Sequence, residues 1–299
     1  MNSIAVDRAD KRIGQVWALK NISLEIPSGE IFGVFGRSGS GKSTLLKLIA
    51  GLNQPTAGTV VLQSSGSDDP AWLDSQVSIA FQTPGLAPEL TVIENLRLFS
   101  SLWNTRRKGK MGRTAMFLEL LGLSNVRNRR VCKLSDGHKC AAELARAFIS
   151  DARITAIDGL IERLDHPTRR KTWEYILARK RQGSTFIIAT SSAKEALLCD
   201  KLAVLSQGRL VFAGKPGELL SAVQNEVVVV ESIHGPLINS KLRDRFGAAV
   251  TERNGTIEIK SPDADSDAAW VLSELKSDVG CVYLRQPTLD DALDRIEGS

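Results

Sequence analysis

The segment that most restricts how this 299-residue chain can fold is Gly36-Arg37-Ser38-Gly39-Ser40-Gly41-Lys42-Ser43-Thr44. It matches G-x-x-x-x-G-K-[ST], directly follows the apolar run Ile31–Phe35 and directly precedes a helical run at residues 45–49. A strand before and a helix after are the setting this pattern requires. The glycines let the backbone curl so that successive N–H groups point at phosphate oxygens, and the helix adds its positive end at the same spot. Lys42 offers a point charge to the β and γ phosphates and Ser43 a hydroxyl for Mg2+. The segment is read as a nucleoside triphosphate site rather than a glycine-rich turn beside a surface lysine.

Around it, residues 22–26 alternate like a half-buried strand, and the pattern turns helical from about 85 to 150. Strands return at 154–157, 185–189 and 202–205, with a helix at 171–181 between the first two. This alternation predicts an α/β fold, a parallel or mixed sheet with helices on its faces. The expected domains are 1–222, with a helical subdomain at about 85–150, and 226–299. In the second, strand 226–230, helix 236–246, strand 248–251, the Asn254-Gly255 turn, strand 256–260, helix 264–276, strand 282–284 and helix 289–296 predict a small α+β ferredoxin-like domain.

Hydrophobic residues at 42% and charged residues at 24% exclude general disorder. The formal charge of +5 is mild and equally suits anionic partners or a solvated surface. No window approaches 18 apolar residues, so no membrane span is expected, and Asp7 interrupts the N-terminal segment before any secretory apolar run. Cys132, Cys140, Cys199 and Cys281 form no Cys-x-x-Cys pair and read as free thiols of a reducing cytoplasm. The basic run Arg106-Arg107-Lys108-Gly109-Lys110 reads as a solvated loop, with a site for anionic lipid as the alternative.

Further motifs follow the glycine-rich loop in order: Thr56-Ala57-Gly58-Thr59-Val60, Phe81-Gln82-Thr83-Pro84, Leu134-Ser135-Asp136-Gly137-His138, Glu143-Leu144-Ala145-Arg146-Ala147, Ile154-Thr155-Ala156-Ile157-Asp158, Leu164-Asp165, and Arg169-Arg170 with Trp173. From about residue 4 to 220 the chain thereby resembles an ATP-binding-cassette (ABC) ATPase, the nucleotide-binding subunit of ABC transporters. The resemblance implies a P-loop NTPase fold with ATP and Mg2+ as ligands. Gln82 would belong to the loop that contacts Mg2+ and the attacking water, and Asp158 would be the Mg2+-side aspartate of the Walker B strand, beside Ser43. Ser135 and Gly137 would belong to the signature that caps ATP held by an opposite subunit, and Asp165 to the D-loop at that interface. The ending Gln286-Pro287-Thr288-Leu289-Asp290-Asp291-Ala292-Leu293 resembles the accessory, regulatory extension of the exporter (ABC-2-type) subgroup.

Against this pattern, the residue after Asp158, where the family has a water-polarising glutamate, is Gly159. Ser191 stands where the family has its switch histidine, Asp136 replaces a signature glycine, and His138 replaces the signature glutamine. A carboxylate near a triphosphate is adverse by about 1 kcal/mol at 4 Å in water. Ile13 stands at the adenine-stacking aromatic position; Trp17 reads as core, with stacking on adenine in place of Ile13 as the alternative. Glu162, three positions past Gly159, is a candidate replacement base, but the resemblance places it in the loop leading to Asp165. His166 reads as a surface histidine and His234 has no special role.

Groups that bind are thus present and groups that hydrolyse are not. The expected function is an ATP-binding subunit of a membrane exporter that turns ATP over poorly or not at all. It would pair as a heterodimer with a second, competent ABC ATPase and with transmembrane permease subunits, peripherally on the inner face of the cell membrane. The alternatives are a conventional homodimeric ABC ATPase with unrecognised replacement catalytic residues, and a soluble P-loop regulator. No nucleic-acid partner is expected, because aromatic residues are only 5% and the chain carries a single cassette.

Overall fold

The structure is a computed structural model that describes residues 3–63, 77–83, 85–102, 110–221, 226–232, 235–253, 256–275 and 279–297. Arg106–Gly109, His234 and the Asn254-Gly255 turn lie outside the described residues, as does Pro84. The chain divides into two compact units, Met1–Pro216 and Gly217–Ser299.

The first unit is built on two sheets. β1 (Ser3–Ile13), β2 (Val16–Ile26) and β4 (Ala57–Gln63) form an antiparallel sheet in the order β2-β1-β4. Of the motif at residues 56–60, residues 57–60 lie within β4. Gly58 sits opposite Arg8 with φ +78, and a Cβ there would come within 2.2 Å of the Arg8 carbonyl oxygen, so the strand bulges at this point. The second sheet contains β3 (Ile31–Phe35), β5 (Val77–Ala80), β6 (Ile154–Asp158), β7 (Thr185–Thr190), β8 (Lys201–Ser206) and β9 (Arg209–Gly214), in the order β5-β6-β7-β3-β8-β9. All its pairings are parallel except β8 with β9. β3, β6 and β7 are buried at every residue, as expected of strands covered on both faces.

Helix α1 (Lys42–Ile49) joins the two sheets. Its Leu45, Leu46, Leu48 and Ile49 share one apolar cluster with Ile4, Leu19 and Ile22 of the first sheet and Val34, Ala156 and Ile187 of the second. A helical layer follows, with α2 (Val92–Leu102), α3 (Lys110–Leu120) and α4 (Asp136–Ile149). α5 (His166–Arg181) then returns the chain to β7. Among the described residues no helix is long and apolar enough to cross a membrane.

After β7 the first unit adds the short α6 (Ala193–Ala196), and α7 (Pro216–Ser221) spans the boundary; the second unit then has β10 (Glu226–Ser232), α8 (Gly235–Phe246), β11 (Val250–Arg253), β12 (Thr256–Ser261), α9 (Ala264–Glu274), β13 (Val279–Arg285) and α10 (Leu289–Glu297). Its antiparallel sheet runs β11-β12-β10-β13, the ferredoxin-like βαββαβ arrangement. Ala248 and Ala249, expected to open a strand at 248–251, belong instead to the 3₁₀ turn Gly247–Ala249, and the strand starts at Val250.

Candidate nucleotide site

In open parallel sheets the carboxyl ends of neighbouring strands collect loops into one crevice. Here those ends belong to β5, β6, β7 and β3, and they deliver Gln82, Asp158 and Gly159, Ser191, and the glycine-rich loop. The resulting cleft has a volume of about 500 Å³. Ser38, Gly39, Gly41, Lys42, Ser43 and Thr44 line one side, and Gln82, Asp158, Gly159, Glu162, Thr190 and Ser191 another. Gly36, Arg37 and Ser40 complete the loop behind this surface. The Ser40 N–H donates to the Arg37 carbonyl at 3.2 Å.

Sequence dictates the loop's shape. Gly41 caps α1 with φ 106, where a Cβ would lie 2.7 Å from the Ala18 carbonyl oxygen. A side chain there would be strained and blocked, so only glycine serves. Gly41 supplies no side-chain acceptor to the helix, and the first turn carries no acidic residue. The helix's positive end thus faces the cleft without a competing carboxylate of its own, the arrangement that favours an anion. The Gly208 N–H braces the loop from behind by donating to the Ser40 carbonyl at 3.1 Å.

The charged groups are incompletely compensated. Lys42 Nζ donates to the Gly36 and Arg37 carbonyls, each at 2.7 Å. Burial lowers its pKa, against the attraction of Asp158 and Glu162. Burial likewise raises Asp158, against the hydrogen bond from Ser43 Oγ to its Oδ1 at 2.9 Å and the charges of Lys47 and Lys42. A bound triphosphate would restore Lys42 toward its ordinary value, and a divalent cation would do the same for Asp158. Among the described residues no three His, Cys, Asp or Glu cluster to hold a metal by themselves. The hydroxyl of Ser43, the Asp158 carboxylate and the Gln82 amide instead fit Mg2+, a hard cation held by oxygen ligands, commonly one or two carboxylates plus waters and substrate phosphates.

Two sequence-based readings need correction. Trp17 is not core: it is 42% exposed and lines the cleft between Val16 and Ala18, with the Arg12 guanidinium 5.7 Å from its ring centroid. Ile13 is exposed but does not line the cleft. The irregular pairing of β1 with β2 decides this, since alternation alone would have turned Trp17 inward.

A family described as "ABC transporter" matches residues 19–161. "Nod factor export ATP-binding protein I" of Burkholderia orbicola is 32% identical over 97% of this chain and 95% of its own length. The chain belongs to the ABC transporter family. It is an ATP-binding cassette of that family. "Methionine import ATP-binding protein MetN" of Cupriavidus metallidurans is 34% identical over 72% of this chain and 64% of its own length. Among solved structures, a dimeric cassette in a post-hydrolysis state bound to ADP and Pi is 26% identical, with TM-score 0.63, over 71% of this chain and 98% of that one.

The cassette's signature residues do not line this cleft. Ser135 caps α4, accepting from the His138 N–H at 3.4 Å, and its Oγ lies 2.7 Å from His138 Nδ1. His138 thus engages the signature hydroxyl within the turn. Asp136 is largely exposed beside Lys139 at 3.6 Å. Asp165 caps α5, accepting from the Thr168 N–H at 2.8 Å, a bond that lowers its pKa. His166, at the start of α5, is exposed. The signature and D-loop are neighbours: a Cβ on Gly137 would lie 3.7 Å from the Arg163 carbonyl oxygen.

In the sequence Glu143 and Arg146 stand out only as members of a family pattern. In the structure they form a buried ion pair, at 2.6 and 2.9 Å. Glu143 also accepts from the Phe81 and Gly85 N–H groups at 3.0 and 3.1 Å, and Arg146 donates to the Ile79 carbonyl at 2.5 Å. The pair fastens the segment bearing Gln82 to the signature helix. The i, i+3 spacing of opposite charges on an otherwise apolar helix was the available signal.

Proposed function

We propose that this cassette binds Mg-ATP in the cleft and serves as an ATP-binding subunit of a membrane exporter, together with transmembrane permease subunits. It works peripherally on the cytoplasmic face of the membrane. Its signature surface pairs with a second ABC ATPase that keeps its own glutamate and histidine, so the assembly is a heterodimer. The observation that carries this reading is the contrast inside one cleft. The phosphate loop, Lys42, Ser43, Asp158 and Gln82 are all in place, yet position 159 has no side chain and Ser191 offers only a hydroxyl.

Loss of a positioned base typically lowers a rate by about 10²–10⁴. ATP then acts through its preference for the closed pair, and the Glu143–Arg146 clamp couples the Gln82 segment to the helical layer. Asp136 adds an unfavourable charge to the site it would cap, by about 1 kcal/mol at 4 Å in water. Trp17 supplies an aromatic face on the cleft wall for the base. Export is favoured over import because the export-named relative aligns with nearly the whole chain, C-terminal unit included, and the import-named one with 72%. That unit serves as an accessory domain of the exporter subunit.

Nucleotide binding and turnover of the purified chain, alone and with its partner ATPase, test the reading. Micromolar ATP binding with slow turnover alone and brisk turnover in the pair is expected. Brisk turnover by the isolated chain sinks the heterodimer. The position of Glu162 on the cleft wall leaves this chain a route to slow turnover of its own.

A further inference from the structure

Glu162 places a second carboxylate on the wall of the cleft. It stands in the 3₁₀ turn Ile161–Arg163, three residues past Gly159, and is half-buried. Its Oε1 lies 3.7 Å from the point that a Cβ on Gly159 would occupy, and Gln82 Nε2 lies 4.0 Å from the same point. Thr190 Oγ1 donates to its Oε2 at 3.3 Å, and the Arg169 guanidinium donates to its main-chain carbonyl at 2.5 Å. The end of β7 therefore holds the carboxylate, while α5 holds the backbone that carries it. Its charge also reaches across the cleft to Lys42.

We propose that Glu162 is the general base of this cassette, supplying from the next turn of chain the carboxylate that position 159 lacks. The proposal rests on the reading of the cleft as an ATP site. Water's oxygen forms a bond to the terminal phosphorus, and the bond from that phosphorus to the bridging oxygen breaks, its electron pair leaving with ADP. The water's proton passes to Glu162 Oε1 and then to solvent, so ATP and water become ADP, inorganic phosphate and a proton. A base tethered three residues away and held through one 3.3 Å hydrogen bond is less well fixed than one on the strand end. Slow turnover follows, since catalysis by a positioned group falls as its geometry loosens.

Single-turnover release of labelled γ-phosphate, with fluorescent-ATP binding on the same full-length samples, tests this. Glu162→Gln is expected to lower phosphate release at least about tenfold with ATP affinity unchanged. Glu162→Asp, which keeps the acid but shortens it, should give an intermediate rate, and Thr190→Val should lower kcat at unchanged KM. Phosphate release unaltered in Glu162→Gln overturns the proposal, and so does a wild-type chain that binds ATP without releasing phosphate. A wild-type chain that binds no ATP overturns the cleft reading and the proposal with it.

Discussion

Position 159 is defined by its backbone as much as by its missing side chain. With φ +61 it lies in the left-handed region, where a residue with a Cβ costs about 1–2 kcal/mol. Gly159→Glu is therefore expected to lower the unfolding free energy by about 1 kcal/mol in urea denaturation, and adding Ser191→His should not recover it. Glu195 is a residue of a different kind. It is 4% exposed. Burial pushes its pKa up to about 7, with the Glu162 charge pushing the same way and Thr190 and Arg169 pulling against it. An unfolded glutamate ionises near pH ~4.3, so between there and pH 7 the native state keeps a proton that the unfolded state has released. Stability should fall as pH rises through that window. Thermal melts of Glu195→Gln should show the fall removed, with Tm above wild type at pH 8 and little changed at pH 4.

Among the elements, α4 is the one whose polar residues matter most to the site. Its Glu143 side chain is fully buried, and removing one partner of a buried pair leaves the other charge uncompensated, at about 3–5 kcal/mol. Glu143→Ala should show that loss in urea denaturation and should slow turnover by freeing the Gln82 segment. Arg170→Ala, which removes an exposed pair with Glu174 at 3.5 Å, should change stability by less than about 1 kcal/mol. The same contrast separates charges that build the fold from charges that only coat it.

At the scale of the whole molecule, each unit has its own apolar cluster. The C-terminal one is closed by a buried clasp. Arg285 binds Asp291 at 2.6 and 3.1 Å and Glu258 at 2.8 Å, while Asp291 also accepts from the Thr288 N–H at 2.8 Å. The motif that resembles an exporter extension is thus a structural fastening of α10 to the sheet. Although burial opposes it, the Arg285 and Thr288 bonds hold the Asp291 carboxyl far below the usual range. The stability this gives is complete above about pH 4, where an unfolded aspartate is ionised, and is lost as pH falls below it. Asp291→Asn should destabilise the C-terminal unit at pH 7, with the difference from wild type shrinking on acidification, read by circular dichroism of the full chain.

The sequence by itself determined the phosphate loop, the alternation of strand and helix, and the βαββαβ order of the C-terminal unit. Each is local: a motif with its flanking runs, or a periodicity of a few residues. Contacts between distant segments were decided only in three dimensions. The bulged pairing of β1 with β2 turned Trp17 outward, and the fold of α4 against β5 joined Glu143 to the Phe81 N–H. Likewise the packing of the 3₁₀ turn beside the end of β7 brought Glu162 into the space left by Gly159. Spacing along a chain records which residues are neighbours in sequence, whereas a cleft is assembled from strand ends whose order in the sheet, β5-β6-β7-β3, is not their order in the chain.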